Sequence, residues 1–190
     1  PAVLAAAKEY GLLAIPGMEV CTSEEVHAVC LFPDLEPAME FDKYVYDRLP
    51  DIKNREDIFG KQEIYNSQDE KCGIIDKLLI NACSISFDEL WELTASYSGV
   101  MFPAHIDKNA NSLINNLGFI PPDSRFGTAE IFDLKNLHKL KAKEPYLENC
   151  RIISNSDAHY LPDIHEPFLT IPAEERSARG VIEYIRNRSK

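Results

Sequence analysis

The sequence predicts an α/β fold, and three observations lead to it. Apolar runs that read as strands stand at residues 12–20, 26–32, 100–107, 128–132 and 150–153, with their ionisable groups gathered at strand ends. Between them lie stretches with helix signals, at 1–10, 39–49, 86–98, 134–143 and 173–188. A length of 190 residues at 45% hydrophobic content suffices for one sizeable core and not for two, so residues 1–190 are expected to form a single domain.

Composition narrows the function classes. No run approaches the 18 or so apolar residues of a membrane span, and the N-terminus lacks the basic flank and apolar stretch of a signal peptide. A cytoplasmic protein without membrane contact is expected. Cys21, Cys30, Cys72, Cys83 and Cys150 form an odd set without a Cys-x-x-Cys pair, which reads as reduced, mostly buried thiols. A net charge of −11 argues against a broad nucleic-acid surface, because a polyanion is repelled before contact. It leaves room for a small phosphorylated substrate or a nucleotide end held by metal.

Taken in order, Pro1 precedes a run of helix formers to Tyr10, with Gly11 as the C-cap; a helix opening at the first residue implies a longer parent chain. The runs 12–20 and 26–32 are joined by about five residues, too few for a parallel crossover, so they form an antiparallel hairpin. Glu19 and His27 then fall at one end of the sheet, close enough to share a metal. Residues 33–37 form a turn and 39–49 an amphipathic helix. In 51–80, two short apolar runs flank the polar turn 66–70, a peripheral hairpin insertion. Ser86-Phe87-Asp88-Glu89 is a capping box that opens the next helix, which Gly99 ends.

The run 100–107 places His105 at a strand end, and Lys108 and Asn109 follow in a loop where a cation and an amide can meet a phosphate. His138 falls on the basic helix 134–143, and His165 in a loop, both away from strand ends. The strand at 150–153 runs into Ser154-Asn155-Ser156-Asp157-Ala158-His159-Tyr160. If the strand continues, Asp157 and His159 share a face, a carboxylate and an imidazole aimed together. A short strand at 167–172 and a closing helix at 173–188 complete the chain. Glu19, His27, His105, Asp157 and His159 thus make five nitrogen and oxygen ligands, more than one tetrahedral ion needs.

Gly-Met-Glu at 17–19, His27 opening Val-His-Ala-Val-Cys-Leu-Phe, Pro-Ala-His-Ile-Asp at 103–107 and Ser-Asp-Ala-His at 156–159 resemble the PHP (polymerase and histidinol phosphatase) family. The resemblance implies a distorted seven-stranded (β/α) barrel with up to three divalent metals, zinc, manganese or iron, that hydrolyses phosphate esters. It implies that Glu19 bridges two metals, that His27 and His105 complete the second site, and that Asp157 and His159 belong to the first and third. It singles out no side chain as nucleophile, that role falling to water the metals activate. The family's opening His-x-His strand and its following Asp-His strand do not occur in these residues. The barrel is therefore expected to lack about its first two strands, with activity only partly competent and exposed strand edges open to self-association. The alternative from another class is a non-catalytic metal- or anion-binding module of the same fold, acting through a partner.

Overall fold

The structure is a computed structural model and describes residues 1–187. Side-chain alternation over the first two strands sets its geometry. β1 (Gly17–Cys21) and β2 (His27–Leu31) pair antiparallel with Glu19 opposite Val29 and Cys21 opposite His27. Val20, Ala28 and Cys30 are buried in the main core, so Glu19, Cys21 and His27, one position out of phase, face the other side of the sheet. Gly17 is needed for the close approach of the strands, since a Cβ there would lie 2.4 Å from the Cys30 carbonyl oxygen. β5 (Val100–Pro103) adds to β2, again antiparallel, with Leu31 opposite Val100 and Ala28 opposite Pro103.

β5 is buried on both faces. Met101 enters the main core with Phe41 and Val45 of α2 (Leu35–Tyr46) and Leu90 of α4 (Phe87–Ser96). Val100 and Phe102 meet Ile182 and Ile185 of α7 (Ala178–Arg186) on the opposite side. Burying a side chain such as Phe102 is worth about 1.5–3 kcal/mol. The capping box at Ser86 forms as its spacing predicts, with Oγ accepting from the Glu89 N–H and the Glu89 carboxylate accepting from the Ser86 N–H.

The remaining strands form two further pairs. β3 (Glu63–Tyr65) and β4 (Lys71–Ile74) make a two-stranded antiparallel hairpin whose turn is held by Asn66 Oδ1, which accepts from the N–H groups of Gln68 and Glu70. β6 (Thr128–Glu130) and β7 (Arg151–Ile153) pair in parallel. α1 (Ala2–Glu9), α3 (Glu56–Phe59), α5 (Leu113–Leu117) and α6 (Leu137–Lys143) lie on the connections. No helix among the described residues is long and apolar enough to cross a membrane.

The seven-stranded barrel lacking about its first two strands, expected from the resemblance, is not what these residues form. The described residues make separate sheets of three, two and two strands. With β3 and β4 paired to each other, five strands of three to five residues remain, short of the eight or so that close a small barrel around side chains. Within the sheets, β1 pairs only with β2 and β7 only with β6, so the ends of the arc do not meet. Between β5 and β6 a backbone bond from the Ile106 N–H to the Glu130 carbonyl stands where a ladder would run.

Other boundaries move for local reasons. The strand expected over 12–20 begins only at Gly17, because Pro16 has no N–H to give a ladder, and Leu12 and Leu13 stay exposed. The helix expected from residue 39 starts at Leu35, since Pro37 sits in the first turn, where a missing N–H costs nothing. Residues 167–172 run without a strand partner. α7 starts at Ala178 behind the Ser177 cap, and Arg188, in the expected closing helix, lies outside the described residues.

Candidate metal centre

The site grows out of the hairpin register. With Cys21 opposite His27 and Glu19 two residues earlier on the same face, carboxylate and imidazole are brought together by the ladder itself. His27 is then locked to the next segment: its N–H donates to the Asn111 carbonyl at 2.8 Å, and its own carbonyl accepts from the Ala104 N–H at 3.0 Å. That second bond carries the β2–β5 ladder to the residue before His105.

His105 breaks the strand pattern. Continued alternation from Phe102 would send residue 105 toward the main core, away from Glu19 and His27. Instead His105 has φ 29, in the left-handed region that non-glycine residues rarely adopt. The buried Glu130 fixes this turn: its Oε2 accepts the His105 N–H at 3.1 Å, and its Oε1 accepts from Asn155 Nδ2 at 2.6 Å. Burial pushes the Glu130 carboxyl up, while the bonds from Asn155 and from the His105 backbone oppose the rise.

The result is a three-residue cluster. Glu19 Oε2 lies 3.2 Å from His27 Nδ1, and Glu19 Oε1 lies 3.6 Å from His105 Nε2. One donor atom from each residue falls within 4.8 Å of the others. The imidazole centroids are 5.4 Å apart and tilted by 55°. The His105 side chain is 5% exposed and that of Glu19 35%, so the cluster is rooted in protein and open on the carboxylate side.

Burial would raise the Glu19 carboxyl, but the two imidazoles beside it outweigh burial and hold it at about 2. The Cys21 thiol and the Glu19 carboxylate raise His27 to about 9 against its partial burial. Donor types fit a divalent ion of borderline softness, with one carboxylate and two imidazoles. Nδ1 of His27 and Nδ1 of His105 are both buried without a hydrogen-bond partner. Once His27 gives up its proton, its Nδ1, 3.2 Å from Glu19, presents a lone pair that a cation would satisfy.

The other expected ligands are placed elsewhere. β7 ends at Ile153, so the alternation that would aim Asp157 and His159 together does not reach them, and Asp157 itself has φ 48. The Asp157 carboxylate forms an ion pair with the Lys108 ammonium. His159 is exposed, its Nδ1 2.9 Å from the Asp157 carbonyl oxygen. Lys108 also lies over the Phe132 ring at 4.5 Å, and Asn109 is exposed. His138 and His165 are exposed as well.

No protein-family model matches the chain, and no curated protein matches it. Among solved structures it resembles the novel lesion-specific endonuclease PfuEndoQ from Pyrococcus furiosus, with a TM-score of 0.54 and 18% sequence identity. The likeness covers 90% of this chain and 38% of that one. At this identity it is a likeness of fold.

Sequence reasoning missed Glu130 and Asn155 as the residues that hold the site. A trace of Glu130 was present, as the one charged residue inside the 128–132 strand.

Proposed function

We propose that this chain is a metal-dependent phosphoesterase of PHP type, whose reactive centre is the cluster of Glu19, His27 and His105. The observation that carries the reading is the convergence of three donor atoms within 4.8 Å, two of them on imidazoles that each keep a buried, unpartnered nitrogen. The neighbouring endonuclease fold supports phosphate esters as the bond class.

A divalent ion held by these residues supplies Lewis acidity toward a phosphoryl oxygen and a water that ionises near neutral pH. The chain's own residues do the rest. Glu19 uses both oxygens to orient the two rings, and Glu130 holds the His105 backbone in place. Lys108, three residues beyond His105, carries a charge that can meet the phosphoryl group by releasing Asp157. Partial exposure of Glu19 leaves the approach open.

The test is hydrolysis of bis(p-nitrophenyl) phosphate and p-nitrophenyl phosphate by protein loaded with zinc or manganese. Turnover that chelation abolishes, and that His105→Ala lowers in step with bound metal, is the expected result; turnover unaffected by either overturns it. A second reading, a non-catalytic metal- or anion-binding module, is favoured by one observation: Lys108 already occupies the Asp157 carboxylate. Bound metal with no hydrolysis of either ester selects that reading.

A further inference from the structure

A second feature lies just past the site. Residues 134–143 contain Lys135, Lys139, Lys141 and Lys143 and no acidic residue, in a chain whose net charge is −11. Lys139 and Lys143, one turn apart on α6, line a cleft of about 450 Å³ whose other wall is the 106–109 segment with Lys108 and Asn109. Lys141 pairs with Glu148 at 3.4 Å, but among the described residues no carboxylate lies within 4 Å of Lys139 or Lys143. The carboxylate in the cleft, Asp107, is committed to the backbone N–H groups of Phe132 and Asp133 at 2.7 and 2.9 Å. Beside the cleft, Phe132 is 45% exposed under the Lys108 ammonium.

Lysines spaced along a groove with an exposed aromatic ring among them are what a single nucleic-acid strand needs, phosphates for the ammonium groups and a base face for the ring. We propose that the cleft between residues 106–109 and helix α6 binds the phosphates of a single-stranded nucleic acid, with Phe132 as a stacking surface. Lys139 and Lys143 stand about 6 Å apart along the helix, suited to successive phosphates. The 106–109 wall of the cleft follows His105 directly in the chain. Assigning the bond cut as one of that strand's phosphodiesters rests on the phosphoesterase reading. The negative net charge then acts as a filter, since repulsion is screened beyond about 10 Å and only a strand seated on the lysines gains.

Binding is measured with metal chelated, by fluorescence anisotropy of a labelled single-stranded oligodeoxynucleotide across a salt series. Lys139→Ala with Lys143→Ala is expected to raise Kd about tenfold or more and to lower the salt slope by about 0.7 per lysine removed. Phe132→Ala is expected to raise Kd about tenfold without changing that slope. Lys135→Ala, on the same segment but outside the cleft, is the control for general charge and is expected to leave Kd within about twofold. No binding by the unaltered protein, or equal effects of the Lys135 and Lys139/Lys143 variants, overturns the proposal. Hydrolysis of bis(p-nitrophenyl) phosphate separates the two readings. Absent turnover with cleft-dependent binding sinks the phosphoesterase reading alone, and normal turnover with binding indifferent to the cleft sinks the strand site alone.

Discussion

The Glu19, His27, His105 corner and the 154–160 loop contain the same chemistry, carboxylate and imidazole at the end of a strand, yet the fold treats them differently. In the corner, two donors are fixed by a β-ladder and the third by a strained turn on a buried carboxylate. In the loop, the strand has ended, the carboxylate has taken a lysine as its counter-ion, and the imidazole faces solvent. Ligand type alone therefore does not make a site. What distinguishes the corner is that backbone hydrogen bonds set the spacing of the side chains before any ion arrives, so little ordering remains to oppose binding.

The strongest way to break this comparison is to remove a donor from each region. Loss of an outer partner already costs a metal site about 10–100-fold, so Glu19→Ala is expected to weaken zinc binding by more than about 100-fold, while Asp157→Ala and His159→Ala change it by less than about threefold. Competition against a chromogenic chelator reads both. An Asp157→Ala loss equal to that of Glu19→Ala would make the two regions one site.

The next effect is pH. The imidazole of His27, raised to about 9, must give up its proton for the metal, so apparent affinity is expected to climb about tenfold per pH unit and to level off above about 9. Calorimetry in buffers of different ionisation enthalpy should show about one proton released per ion below that pH. Without metal the sign reverses. The raised His27 pKa contributes stability that is fully present below the ordinary 6.5 and lost as pH rises through about 9. Metal affinity that stays flat across this interval would mean that the ion binds without His27.

A smaller effect sharpens the role of the anchor between the two regions. Glu130→Ala leaves the His105 N–H and the Asn155 amide without their acceptor, a cost of about 1–3 kcal/mol in urea unfolding, and should weaken metal binding about 10–100-fold as His105 loses its turn. Destabilisation with unchanged metal affinity would show that Glu130 supports the fold and not the site. Smallest is Lys108→Met, which removes a partly exposed ion pair and should cost under about 1 kcal/mol. It also frees Asp157; if the variant then binds a second ion, the loop was held back only by its lysine.

Several features were legible because they are local. The hairpin followed from a connection too short for a crossover, and the Ser86 cap from its Glu three residues on, as backbone geometry over a few residues dictates. The pairing of Glu19 with His27 followed from the same hairpin. The seven-stranded barrel short of about two strands did not follow, because which strands meet edge to edge in one sheet is a property no single segment contains.

By itself, then, the sequence determined which side chains can act as ligands and that two of them, Glu19 and His27, stand on neighbouring strands, since alternation and turn length are properties of short segments. Only the tertiary structure decided which of the remaining candidates joins them. His105 does so because Glu130, 25 residues away in sequence, holds its backbone in a conformation that alternation forbids. Asp157 does not, because Lys108, 49 residues away, reaches its carboxylate first. Both outcomes rest on long-range hydrogen bonds and charge pairs, whose partners become neighbours only once the chain has folded.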